Sequence, residues 1–303
     1  MGKTNIEWAD FTFNPWKICT PVSPGCVNCY AAAMAKRFGW GEYRKGVPRQ
    51  RTSETYWKQP LMWNQTFVCD VCGAPTRDKL SPRCSHCGVI GFWRKPRVFC
   101  ASLADVFDPE APDQWRDDLF QLIVNTPNLD WLFLTKRPEN ALQIYNDLSL
   151  SQWNGIKENL WLGVSVENQE QADKRIPELL KIPAKVRFLS MEPLLGPVNL
   201  ENYFERFDHS DNCENDFCAL AGGIDDCDGV VSKGVDWVIV GGESGPGKRK
   251  FETSWAYSLR DQCKAASVPF FMKQIDKVQP IPEDLLIREF PRTPYTIVKT
   301  LNA

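Results

Sequence analysis

Residues 160–192 read LWLGVSVENQEQADKRIPELLKIPAKVRFLSME, and the fold class follows from them. Leu160–Val166 (LWLGVSV) is a short apolar run of strand length, Gln169–Lys181 has helical spacing, and Val186–Ser190 (VRFLS) is a second short apolar run. A strand, a helix and a strand within this length make a βαβ unit, which puts the two strands parallel. The rhythm extends in both directions. Arg97–Ala101, Trp131–Thr135, Trp237–Val240 and Pro269–Met272 are further candidate strands, and Asp113–Asn125, Pro138–Asp147 and Thr253–Ala266 further helices. The expectation is an α/β fold with a mostly parallel sheet, forming a partial or complete (β/α) TIM-type barrel in one domain over residues 1–303.

Several of these runs end in polar residues: Ser102 and Asp105, Thr135-Lys136-Arg137, Ser165 and Glu167, Glu192, Glu243 and Ser244, Lys273 and Gln274. Ligands of barrels and open α/β sheets sit at the carboxyl ends of the strands, so these groups are expected to share one pocket. Two segments break the rhythm and read as insertions. Residues 66–92 carry four cysteines among Gly, Pro and Ser, and residues 205–234 are acidic and Gly-rich with three more cysteines. There is no internal repeat.

Composition bounds the answer. Of 303 residues, 43% are hydrophobic and 24% charged, enough for a full core, which excludes global disorder. The formal net charge of −2 gives no whole-surface positive field, although a local basic patch stays open. No apolar run approaches the ~18–20 residues that span a bilayer. The first residues, MGKTNIEWAD, lack the apolar region of a signal peptide, and Ile6 stands where myristoylation wants Ser or Thr. A cytoplasmic protein with no membrane partner is expected.

Twelve cysteines against two histidines are the anomaly, since clustered cysteines in a reducing compartment usually bind metal. Cys69, Cys72, Cys84 and Cys87 follow C-x2-C-x11-C-x2-C, two knuckles whose four thiolates suit tetrahedral Zn²⁺. His86 is a less favoured substitute ligand. Around them, Arg77, Lys79, Arg83, Arg94, Lys95 and Arg97, with Phe92 and Trp93, would suit a nucleic-acid backbone and bases or form solvated surface. Cys19, Cys26 and Cys29 follow C-x6-C-x2-C. Three thiolates with no near fourth suit a [4Fe–4S] cluster with one open iron, or a zinc site completed by a distant residue. His209, Cys213, Cys218 and Cys227 give H-x3-C-x4-C-x8-C, a candidate second zinc site. Cys100 and Cys263 read as core residues.

Other candidates each have two readings. Glu167 and Glu192, closing two strands, and Lys136 could act as acid, base or ligand-holding groups. The competing roles are helix capping for the glutamates, and salt bridges to them for Lys136, Arg137 and Lys273. Asp105 suits sugar hydroxyls or caps a helix. Gly241-Gly242-Glu243 gives a ligand close access to the backbone or is a plain turn. Tryptophans 8, 16, 40, 57, 63 and 93 lie among Arg37, Arg44, Arg49 and Arg51 and either clamp nucleic acid or pack a core.

The cysteine loop runs straight into a helix, Tyr30–Phe38, and resembles the start of the radical S-adenosylmethionine (SAM) enzymes. It departs from their motif in its six-residue first gap and in Asn28 before the last Cys. Cys29-Tyr30-Ala31, then Ser102…Asp105…Asp108-Pro109-Glu110, then Thr135-Lys136 are similar to segments of the spore photoproduct lyase branch. Over residues 4 to about 275, TNIEWAD, NPW, SPGCVNCYA, LTKRP, WLGVSVENQ, RFLSMEPLLGPV and VIVGGESGP match a phage-borne family that carries gene-product 37/68 labels and a domain-of-unknown-function name.

That resemblance implies a barrel of the radical SAM kind, with a [4Fe–4S] cluster on Cys19, Cys26 and Cys29. It implies SAM held among Tyr30, Ser102, Asp105, Thr135, Ser165, Gly241, Gly242 and Glu243. The expected activity is reductive cleavage of SAM to act on a nucleic acid or nucleotide, fed by a flavodoxin or ferredoxin. A zinc-stabilised nucleic-acid-binding or partner protein with a non-catalytic cluster is the alternative. A metal-dependent hydrolase is disfavoured, because neither histidine lies near the barrel-mouth carboxylates in sequence.

Overall fold

The computed structural model describes residues 4–78, 81, 83–90, 93–204, 234–245 and 247–291. Seven strands form the main sheet: β1 Phe11–Phe13, β2 Arg97–Cys100, β3 Asp130–Thr135, β4 Leu160–Ser165, β5 Val186–Met191, β6 Trp237–Gly241 and β7 Phe270–Gln274. Their spatial order is the chain order, and every neighbouring pair is parallel. With no reversal of order there is no topological switch point. Right-handed crossovers in one direction place the helices between β2 and β7 on one face.

Six helices matter here: α1 Tyr30–Phe38, α2 Asp113–Val124, α3 Pro138–Asp147, α4 Leu150–Lys157, α5 Gln169–Leu180 and α6 Thr253–Ala265. Alternation along each strand separates two cores. The outward set, including Val98, Cys100, Trp131, Leu162, Val164, Leu189, Val240 and Met272, packs with Leu119, Ile123, Ala172, Ile176, Leu259 and Cys263 of the helices. Cys100 and Cys263 are fully buried there, as read from the sequence.

The inward set is Phe99, Leu132, Trp161, Val186, Phe188, Trp237, Ile239 and Phe271, joined by Trp8. Trp8 lies 4.5 Å from Phe99 on β2 and 6.4 Å from Trp237 on β6. In a flat sheet those strands would stand about 19 Å apart, so the sheet is curled into a half-barrel around this aromatic plug. Gly163 is required by it: a Cβ there would lie 2.5 Å from the Phe188 ring.

Among the described residues β1 and β7 do not pair, so the barrel is partial. Ile287–Glu289 covers the outer edge of β7 through Met272 N–H to Ile287 O (2.8 Å) and Glu289 N–H to Phe270 O (3.0 Å). Beside it a cavity of about 540 Å³ opens between Asn5, Glu7, Lys273, Gln274, Lys277 and Gln279.

The sequence-derived strands lie within two residues of those observed at either end. Of the seven strands and six helices named above, two were not anticipated: β1, three residues at an edge, and α4, capped by a Ser149–Gln152 capping box. Within residues 66–94, Phe67–Cys69 pairs antiparallel with both Pro75–Thr76 and Trp93–Arg94. Nearly all of the 205–234 insertion, with His209, Cys213, Cys218 and Cys227, lies outside the described residues. No helix among those described is long and apolar enough to cross a membrane.

Candidate functional site

The inner face of the half-barrel changes character along the strands. Its amino-terminal half is the aromatic plug; its carboxyl-terminal half carries Gly163, Ser165, Ser190, Gly241 and Lys273. Polar and small residues therefore gather at a mouth formed by the carboxyl ends of the strands. Lys136 donates to Ser165 Oγ (3.2 Å), and Lys273 Nζ bridges both Glu192 oxygens (2.7 and 2.9 Å). The Lys273–Glu192 pair is about one-fifth exposed. Of the salt bridges weighed in the sequence, this one forms.

The loop carrying Cys19, Cys26 and Cys29 spans this mouth, bonded to residues that follow four different strands. Ile18 N–H donates to Leu103 O (3.0 Å), and the Tyr30 hydroxyl donates to Ser102 O, both after β2. After β3, Arg137 donates to Thr20 O. After β4, Glu167 accepts from Ser23 Oγ (2.5 Å). After β6, Glu243 accepts from Asn28 Nδ2 (2.9 Å), which also reaches Gly247 O (3.0 Å). Arg49 is a further anchor, donating to Thr20 Oγ1 (2.8 Å) and pairing with Asp108 (2.7 Å) and Glu110 (3.0 Å).

These contacts revise several expected roles. Asp105 accepts from Thr135 Oγ1 (2.8 Å), Phe107 N–H (3.0 Å), Lys136 N–H (3.2 Å) and Arg137 (2.9 Å). Its oxygens tie β2 to β3 and leave none for a sugar hydroxyl. Glu167 is fully buried, one oxygen on Ser23 and the other on Arg175 (2.7 Å). It holds the loop rather than facing a ligand as an acid or base. The Ser102 hydroxyl donates to Asn14 Oδ1 (3.2 Å), and Thr135 is buried against Asp105. Gly242 is dictated by packing, since a Cβ would strike Ile275 O and come within 2.9 Å of Phe251. Glu243 is engaged by Asn28 and by the backbone and side chain of Arg249; despite burial, those donors hold its carboxyl down to about 2.

All three loop cysteines are free and partly exposed. Burial, and then the Asp105 carboxylate beside it, pushes the Cys19 thiol up; Arg137 opposes this and Cys29 adds to it. The three loop cysteines do not form a single-ion group among the described residues, whereas Cys69, Cys72, Cys84 and Cys87 do, with sulfurs all within 4.8 Å. A Zn–S bond of about 2.3 Å gives tetrahedral S···S edges of about 3.8 Å, and the Cys69–Cys87 and Cys72–Cys84 separations are 3.9 and 3.6 Å. The two knuckles repeat one geometry. Gly73 and Gly88, both at positive φ, donate back to Cys69 O and Cys84 O (2.9 Å each). This group could hold a metal ion such as zinc, and a [4Fe–4S] cube, being larger than one ion, needs thiolates further apart.

Three of the six basic residues beside the knuckles are committed elsewhere. Arg94 pairs with Asp10 (2.6 Å) and Asp70 (3.4 Å), Lys95 donates to Asn159 (3.0 Å), and Arg97 is buried over Phe290. Arg77 and Arg83 remain exposed, and Lys79 and Phe92 lie outside the described residues. Trp8, Trp16, Trp57, Trp63 and Trp93 are core; only Trp40 of the six is not buried.

Comparison with known families gives one finding: residues 3–285 match the model of a family described as a protein of unknown function (DUF5131), and the chain belongs to it. No curated protein and no solved structure matches the chain.

Proposed function

We propose that this member of the DUF5131 family is a radical SAM-type [4Fe–4S] enzyme acting on a nucleic acid or nucleotide, built on a partial barrel of the radical SAM kind. One observation carries the reading. Three free cysteines sit on a single loop, clamped by bonds to four strand ends over the polar mouth of a parallel half-barrel. The donor set fits the group: three thiols, none in a disulfide, on a loop whose backbone is fixed from several sides.

Cys19, Cys26 and Cys29 would hold the cluster through three irons. Bound there, the cluster would supply one electron for the reductive cleavage of SAM to methionine and a 5′-deoxyadenosyl radical. The chain's own residues orient and enclose. Arg49, Arg137 and the Glu167–Arg175 pair fix the loop, and the aromatic plug closes the mouth from below against water. Lys136, Ser165, Glu192 and Lys273 face the mouth and would receive the charged and hydroxyl groups of the ligands. A small electron-transfer protein of the flavodoxin or ferredoxin class would supply the electron, and zinc on Cys69, Cys72, Cys84 and Cys87 would be structural.

The test is anaerobic reconstitution with iron and sulfide, then EPR of the dithionite-reduced protein with and without SAM. A [4Fe–4S]⁺ signal that changes on adding SAM and is lost in Cys26→Ala supports the reading. A cluster indifferent to SAM, or zinc alone on these cysteines, sinks it in favour of a zinc-stabilised binding protein.

A further inference from the structure

The surface beside the cysteine loop is basic and aromatic. Residues 17–48 contain five basic side chains, Lys17, Lys36, Arg37, Arg44 and Lys45, against one acid, Glu42, in a chain whose net charge is −2. Glu42 is paired with Arg44, and all the basic groups but Lys17 are exposed. Aromatic rings lie among them. Tyr30 and Phe38, at the two ends of α1, are 53% and 54% exposed. Phe38 stacks on Trp40 at 5.2 Å and 20°, Lys17 sits 3.8 Å over the Trp40 ring, and Arg37 lies 5.4 Å from the Phe38 ring. Along the helix Tyr30, Ala33 and Arg37 are exposed and Met34 is half-buried.

Cations set against exposed rings bind phosphates and bases together. The track has a direction: from Phe38 to Tyr30 is about 12 Å along the helix, and the Tyr30 hydroxyl is bonded at the rim of the mouth. We infer that α1 and the Trp40–Lys45 loop form a docking track for single-stranded nucleic acid, stacking unpaired bases on Phe38 and Tyr30 and leading the strand to the barrel mouth. This deepens the nucleic-acid part of the proposed function and rests on it. An acidic protein would use the charge but has no need of the rings.

The test uses the full-length protein, without SAM or reductant, so that its failure is separate from failure of the radical reading. Fluorescence anisotropy of a labelled oligothymidylate of about a dozen nucleotides is followed against salt. Phe38→Ala is expected to weaken binding about 5- to 100-fold with an unchanged salt slope. Phe38→Leu, which keeps the bulk and loses the ring, is expected to weaken it too. Arg37→Gln and Lys45→Gln should each reduce the slope of log K against log salt by about 0.7. All three side chains are exposed, and unchanged melting temperatures would confirm intact folding. Heparin binding as tightly as the oligonucleotide, with Phe38→Ala neutral, would overturn the inference in favour of an acidic protein partner. So would a duplex that binds as well as the single strand.

Discussion

Gly25→Ala separates the clamped-loop account from a passive one. The backbone at Gly25 is not at positive φ, so alanine brings no conformational strain there. Its Cβ would, however, overlap Glu167, touching Oε1 and lying 2.7 Å from Cγ and 2.8 Å from Cδ. Two responses are available. Expelling Glu167 would leave Arg175, 2% exposed, as an unpaired buried charge at a cost of about 3–5 kcal/mol. Lifting the loop costs the Ser23–Glu167 bond and local packing, about 1–3 kcal/mol. The loop therefore moves and the ion pair stays. The expected phenotype is a melting temperature a few degrees lower together with a large loss of iron on reconstitution and faster reaction of Cys26 and Cys29 with a thiol reagent. Gly39→Ala is the matched control: its φ is +66° with nothing within 4 Å of a Cβ, so it pays about 1 kcal/mol of left-handed strain and should leave iron loading intact. If Gly25→Ala loads iron and shields its thiols as the parent does, Glu167 does not position the loop.

Further outcomes follow from the same geometry. Arg175→Met leaves the Glu167 carboxylate buried and unpaired, so urea unfolding should show a loss of about 3–5 kcal/mol, partly recovered in Arg175→Met/Glu167→Gln; no recovery would deny the pair. Cys84→Ser should remove the zinc measured by elemental analysis, whereas Cys100→Ser should keep it and lose about 1–3 kcal/mol for a buried, unmatched hydroxyl. Because Glu243 is held down to about 2 from an ordinary 4.5, its contribution is complete above about pH 4.5 and lost as pH falls toward 2. Glu243→Gln should therefore flatten the acid limb of the stability–pH curve and leave neutral pH behaviour otherwise parallel; an unchanged acid limb would remove Glu243 from the account.

The strand–helix rhythm was legible because buried parallel strands are continuous apolar runs and their helices are long. β1 escaped because three residues, Phe11–Phe13, carry no readable period. Glu167 and Asp105 were legible as strand-end carboxylates, but sequence adjacency could not say which way their oxygens face. The residues that decide this are distant in the chain: Ser23 and Arg175 for Glu167, Arg137 for Asp105. One local clue existed. Arg175 lies one turn from Gln171 and beside Ile176 on the buried side of α5, and a buried arginine needs a carboxylate partner. Gly241-Gly242 misled for a related reason, because a glycine admits close approach by any backbone, and here Ile275 is the one that approaches Gly242.

Buried ion pairs contribute little net stability against well-packed apolar residues of the same size, so their concentration on one loop calls for another cause. Arg49–Asp108, Arg137–Asp105 and Arg175–Glu167 all have side chains 7% exposed or less. Each reaches the segment between Cys19 and Cys26, two of them on Thr20 and the third through Ser23. An apolar contact tolerates sliding by a fraction of an ångström, whereas a charge-assisted hydrogen bond fixes both distance and direction. A loop that only covered a barrel end could rest on leucines. One that must hold three thiols at set positions over a polar mouth needs directional restraints from several strands, and that is the arrangement this chain builds.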